Sequence, residues 1–422
     1  MSQKIGFWSV FAIVTGSQIG SGVFMSPSTL APYGALGLLG WLVSGVGALS
    51  LAYVFAQLCG RFPQTGGPHV YVREAFGQHA AFFTGWTYWL VSFISSTAVI
   101  VTSIGYLSPF LPADNAALYL TLELALLGFI VWLNLRGVKA AGNAEFFLTI
   151  IKFIPLLILP AIGLYYFDAG NLVIDASKAD LSLAQMLGHV TLLTLWGFIG
   201  LESATTPAGS VENPGKTIPR AILLGTATVA LVYVFSSIGI MGLIPGGELM
   251  HSKAPYVDAA RIVFGGSWHY GISIIASIVC IGTLNAWVLT SGQIALGLAE
   301  GGYLPKRFSK TNLRGAPSFG IICSSLGIVP LLFLTNSSSF AEQITSIIDI
   351  SVISFLFVYV LCCLSLLSLS STWVNQVAAL FALGFCVFII SQTPETTLLT
   401  SSIFTLSGLP LYLYWRGSRL KS

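Results

Sequence analysis

The stretch Thr15-Gly16-Ser17-Gln18-Ile19-Gly20-Ser21-Gly22 interrupts an otherwise apolar run from Ile5 to Leu30, and Gly197-Phe198-Ile199-Gly200-Leu201-Glu202 interrupts a second apolar run about 180 residues later. A lipid-facing helix has no water to satisfy broken backbone hydrogen bonds. Unwound backbone at membrane depth therefore persists only where it is buried or lines a cavity holding something polar. Glycine supplies the backbone freedom for such a break. Two broken helices, one in each half of the chain, imply a polar cargo site between the halves of a transporter-like membrane protein.

Composition agrees. Of 422 residues, 55% are hydrophobic and 8% charged, and mean hydropathy is +0.86, which leaves too few charges to cover a water-soluble globule of this size. At roughly 20 apolar residues per crossing, the chain holds twelve candidate spans, near 6–30, 36–60, 79–108, 115–135, 143–167, 184–206, 219–243, 270–299, 316–335, 344–369, 374–391 and 396–415. The fold class read from this pattern is an all-α integral membrane protein of twelve transmembrane helices. The short connections leave no room for a soluble domain.

The charges orient it. With a cytoplasmic N-terminus, fourteen of the eighteen Lys and Arg fall on the cytoplasmic side, from Lys4 and Arg61 to Arg419 and Lys421, against Lys178, Lys253 and Arg261 outside. That is the positive-inside pattern, and it supports an even helix count with both termini cytoplasmic. The net charge of +3 is this bias, and no basic cluster is dense enough for nucleic acid. The first apolar run follows Lys4 directly and outlasts a signal peptide, so it is expected to remain as the first helix. Cys59, Cys280, Cys323, Cys362, Cys363 and Cys386 fall in or beside spans without metal-ligand spacing, and neither metal nor cofactor is expected. An enzyme is disfavoured too, since no HExxH, GxSxG or lysine-bearing phosphate loop is present.

The two breaks divide one transmembrane domain, 1–422, into helices 1–5 (about 6–167) and 6–10 (about 184–369), with two helices (about 374–415) appended. An odd number of helices per repeat inverts the second against the first. Gly20-Ser21-Gly22-Val23-Phe24 with Pro27, then Thr65-Gly66-Gly67-Pro68-His69-Val70-Tyr71 leading to Ala75-Phe76-Gly77, then Trp196-Gly197-Phe198-Ile199-Gly200-Leu201-Glu202-Ser203-Ala204 resemble the amino acid-polyamine-organocation superfamily of transporters. Val211-Glu212-Asn213-Pro214 and Gly302-Tyr303-Leu304-Pro305 are similar to later segments of the same family. Within it the string around Trp196 most resembles the branch that exchanges basic amino acids for polyamines. The resemblance implies a secondary active amino acid transporter, an amino acid/amine antiporter with pH-linked gating, in a bacterial inner membrane. Proton-coupled, sodium-independent uptake is the alternative, and a membrane sensor on the same fold a further one. Its partners are then bilayer lipid and a small amino acid or amine, with a homodimer left open.

An amino acid zwitterion needs donors for its carboxylate and acceptors for its ammonium group, or desolvation forbids binding. Backbone N–H groups at Ser21 and Gly22, at the positive end of a half-helix, suit the carboxylate. Freed carbonyls near Gln18, Trp196 and Ile199 suit the ammonium group. A small-residue helix contact is the alternative use of Gly20-Ser21-Gly22. The resemblance places Trp196 and Trp287 as aromatic gates able to cover an aliphatic or cationic side chain. It also places Tyr88, Ser96, Ser351 and Tyr359 along the cavity, Ser96 standing where arginine/agmatine exchangers have an asparagine, with interhelical hydrogen bonding the alternative for the tyrosines and Ser351.

Two charges carry the most consequence. Glu202 stands at the second break, where a carboxyl's proton occupancy would couple to substrate or to gating, a protonated carboxyl merely bonded across helices being the alternative. Lys152 lies inside helix 5, which costs roughly 2.5–3.5 kcal/mol even on a permissive scale, so it should have carbonyl or acidic partners. The resemblance implies an ammonium group standing where sodium-dependent relatives hold their cation between helices 1 and 8. Snorkelling to the cytoplasmic interface is the alternative. Asp349, Glu123 and His189 receive no role from the pattern.

Overall fold

The computed structural model describes residues 4–112, 115–178, 180–252, 254–335 and 340–419; Lys253 and Lys421, counted in the charge asymmetry, lie outside the described residues. Spans are numbered α1 to α12 in chain order. Helix α1 is split into α1a (Phe7–Gln18) and α1b (Ser21–Leu30), and α2 to α5 are Ala35–Arg61, Pro68–Gly105, Ala116–Asn134 and Val138–Tyr165. Helix α6 opens as Leu183–Leu195, followed by α7 (Pro214–Leu243), α8 (Trp268–Glu300), α9 (Ser318–Thr335), α10 (Phe340–Leu369), α11 (Trp373–Ser391) and α12 (Glu395–Leu406, continued by Leu409–Arg419). Eleven of these are long and apolar enough to cross a bilayer, and the shorter apolar α9 stands in the ninth place. The chain is a multi-pass, all-helical membrane protein.

Three segments differ from the hydropathy reading. Helix α3 begins at Pro68 rather than near 79, because Gly77, at φ 81°, joins a short amphipathic turn to the span. Arg73 and Glu74 pair at 2.9 Å on that turn, which hides it from an apolar window. The connection between α7 and α8 folds its own helices, Gly246–Leu249 and Pro255–Phe264, and Tyr256 from the latter packs on Phe24 of α1b with ring centroids 4.6 Å apart. Helix α6 does not resume as an α-helix after its break. It runs through 3-10 turns at Trp196–Phe198, Ser203–Thr205 and Ala208–Ser210, with Gly200 between them at φ 105°. A Cβ on Gly200 would stand 2.9 Å from Ser17 Oγ, so both conformation and space require glycine there.

Local chemistry starts the second half cleanly. Ser182 and Gln185 form a reciprocal capping box that satisfies two of the donors exposed at the start of α6. The bundle then closes through small residues. Gly163 of α5 and Gly239 of α7 let the two backbones touch, a Cβ on Gly163 falling on the Gly239 carbonyl and one on Gly239 falling on Pro160. Backbone cannot yield as a side-chain tip can. Gly239→Val is accordingly expected to destabilise the protein by about 1–3 kcal/mol, the usual cost of overpacking. The check is thermal unfolding in detergent, and an unchanged melting temperature would mean that α5 and α7 do not meet here.

Candidate substrate site

The two breaks face each other across a small cavity lined by Ser17, Gln18, Gly20, Ser21 and Gly22 of α1, Ser95 and Val99 of α3, Trp196 and Ile199 of α6, and Thr283 and Trp287 of α8. Its volume of about 20 Å³ holds roughly one water, far below the roughly 300–1,000 Å³ of a ligand pocket. Trp196 is what fills it. A Cβ on Gly22 would stand 2.7 Å from the indole Cδ1, so the ring lies directly on the N-terminal turn of α1b. Any molecule reaching the Ser21 and Gly22 amides must move that ring.

Most carbonyls released by the breaks already have partners. Tyr233 of α7 shares its one hydroxyl proton between Gln18 O (2.8 Å) and Gly197 O (3.0 Å), one residue from each break. Ser17 donates to Gly200 O (2.8 Å) and meets Ser203 Oγ at 2.8 Å, so the breaks are bound to each other directly. Trp196 O accepts Ile199 N at 3.3 Å. The Gln18 side chain donates to Val14 O (3.0 Å), while its Oε1 is buried without a protein partner. An acceptor of that kind at the cavity wall suits an ammonium group.

Lys152 sits beside this arrangement, fully buried. Its Nζ donates to Gly16 O (2.6 Å), Glu145 Oε1 (3.1 Å) and Thr283 Oγ1 (3.2 Å), and Thr283 in turn donates to Ile19 O (2.7 Å). Snorkelling is thereby excluded. One cation ties α5 to the first break and to α8. Sequence reasoning required an acidic or carbonyl partner without finding Glu145, although its place two helical turns before Lys152 puts both on one face. Thr283 and Tyr233 carried no signal, being one each among many hydroxyls in membrane helices.

Glu202 is off the cavity. Its carboxyl is fully buried and accepts one phenol per oxygen, from Tyr88 of α3 (3.0 Å) and Tyr359 of α10 (2.5 Å). Two donors match an ionised carboxylate, which only accepts, and a proton on either oxygen forces one bond to break or reverse. Phe355 packs on Tyr88, Trp287 and Tyr359, joining this triad to the cavity wall. Ser96 turns its hydroxyl to Ser92 O (2.9 Å), and the wall is formed by its neighbours Ser95 and Val99. Ser351 is buried on α10 away from the cavity, its hydroxyl without a protein partner. Glu123 is buried, Asp349 exposed, and His189 stands edge-on to Tyr33 at 6.5 Å.

Gly22→Val should abolish binding of every substrate, because the new side chain collides with Trp196 and covers the amides. Ser95→Val should instead change the ranking among substrates, while Ser96→Ala, whose hydroxyl serves its own helix, leaves it unchanged. Competition calorimetry on the three variants checks this. A folded Gly22→Val protein with normal binding would remove the first break from the site.

The family model for amino acid permeases matches residues 5–409. The chain is 28% identical over 417 residues to the cadaverine/lysine antiporter of Escherichia coli K12, covering 96% of this chain and 92% of that one. It is 30% identical over 428 residues to a putrescine transporter of Haemophilus influenzae, covering 97% of each. These relatives are carriers rather than enzymes. With them the chain belongs to the amino acid permease family, within the amino acid-polyamine-organocation superfamily of secondary transporters.

Proposed function

We propose that the protein exchanges an amino acid for a related amine by alternating access, with the cargo's head group held between the two breaks. The observation that carries this reading is the cavity where the Ser21 and Gly22 amides, the Gln18 acceptor and the Trp196 and Trp287 rings meet. The amides and the dipole of α1b suit a carboxylate, and the indoles suit an aliphatic or cationic tail. The relatives named for cadaverine with lysine, and for putrescine, favour basic amino acids and diamines. In this reading Gln18, Ser21, Gly22, Trp196, Ile199 and Trp287 bind cargo directly. Tyr88 and Tyr359 act through Glu202, and Ser96 backs the wall from α3, whereas Ser351 stands away from it. Lys152 takes the place of a bound sodium, so transport runs without it.

The inverted repeats at about 6–167 and 184–369 rock against each other, in a bacterial inner membrane with both termini cytoplasmic. Liposomes loaded in turn with arginine, lysine, ornithine, putrescine, leucine or nothing, and assayed for labelled uptake with and without a pH gradient, test the mode. Uptake into loaded vesicles alone means exchange. Gradient-driven uptake into empty vesicles makes the protein a proton-coupled permease instead.

Glu202 supplies the pH link, since its protonation breaks or reverses one of two phenol bonds that join α3, α6 and α10. Glu202→Gln is expected to leave binding largely intact and to remove most of the pH dependence of transport. An unchanged pH–rate profile would reject the link, and loss of all binding would make Glu202 a direct ligand.

A further inference from the structure

Glu145 and Lys152 are both fully excluded from solvent, two turns apart on α5. An isolated ammonium group in such a place sheds its proton, whereas one beside a carboxylate keeps it. The hydrogen bonds count the same way. An ammonium has three N–H donors, and Lys152 has three acceptors: Gly16 O on α1, Glu145 Oε1 on α5 and Thr283 Oγ1 on α8. Thr283 has already spent its own proton on Ile19 O, so it can only accept from Lys152. A neutral amine has two N–H groups and keeps all three contacts only if the proton moves to Glu145, reversing that bond.

Glu145 is itself held in place. Its Oε2 accepts Asn285 Nδ2 of α8 (2.9 Å), and Asn285 also donates to Ala141 O (3.1 Å) and accepts Asn134 Nδ2 of α4 (3.1 Å). The titratable groups that the described residues bring to Lys152 are Glu145 from its own helix and the Cys280 thiol from α8; α1 offers only a carbonyl. Glu145 thus supplies the nearby negative charge.

We propose that Glu145 is a positioning residue that keeps Lys152 protonated through the whole transport cycle, so that the tie between α5, the first break and α8 carries charge but moves no proton. The pair is then a fixed clamp, and any pH dependence of transport belongs elsewhere. The inference rests on the transport reading through its assay alone.

The test compares Glu145→Gln with wild type, as the ratio of labelled lysine transport at each pH from about 6 to about 9. Without the carboxylate Lys152 titrates, and the ratio is expected to fall about tenfold per pH unit once it deprotonates, recovering on return to acid. Glu145→Asp should hold a flat ratio. A Glu145→Gln ratio that is also flat overturns the proposal. If Glu145→Gln does not fold, the double variant Glu145→Gln/Lys152→Met decides: recovery of folded protein supports the charge pair, and no recovery overturns it. Absence of exchange by wild type counts against the exchange reading only, and the ratio is then read on pH-driven uptake.

Discussion

Backbone groups left unpaired by the two breaks govern how the bundle is put together. Each released carbonyl inside a membrane must be satisfied by protein or by cargo, and here the satisfying groups come from many different helices. Lys152 of α5 takes Gly16 O, Thr283 of α8 takes Ile19 O, Tyr233 of α7 takes Gln18 O and Gly197 O, and Ser17 takes Gly200 O across to α6. The weakest points of two helices thereby become the places where five helices are joined. A shift of α1a cannot leave these bonds unchanged, so motion at the site and motion of the scaffold are the same event.

That economy explains what the sequence discloses. The breaks are legible because glycine and polar residues inside an apolar run have few other uses, and the spans are legible because a bilayer imposes length and hydropathy. Lys152 and Glu202 stand out because buried charge is rare. Their partners do not stand out: Tyr233, Thr283 and Ser17 are ordinary residues for membrane helices, and only the fold brings them to a carbonyl. Ser95 and Ser96 show the same limit more sharply. One residue of helical rotation, about 100°, separates Ser95, which lines the cavity, from Ser96, which does not. The amphipathic start of α3 and the helices between α7 and α8 escaped a hydropathy window for the opposite reason, since they are too polar or too short to fill one.

Within the exchange reading, the closed cavity and the Glu202 triad act as two different controls. Trp196 on Gly22 leaves cargo no volume, whereas Tyr88 and Tyr359 hold α3 and α10 to α6 by their hydrogen bonds to Glu202. Phe355 touches Trp287 and both tyrosines, so packed rings connect the triad to the cavity wall. Within the exchange reading, this separation lets proton occupancy bias the gate without placing a proton on the substrate.

It also bears on how a cationic cargo is tolerated beside a buried lysine. Thr283 lines the cavity and bonds Lys152, so the ammonium group stands just behind the wall. Two unit positive charges at about 8 Å repel by about 2 kcal/mol at an effective dielectric constant of about 20, a penalty that a diamine would meet at one end or both. Glu145 at 3.1 Å turns the lysine into half of a dipole whose field falls off faster than that of a lone charge. Asn285 and Asn134 hold the negative end in place from α8 and α4. Within the exchange reading, a site for cations thus keeps the structural benefit of a fixed ammonium at its first break while presenting little net positive charge to its cargo.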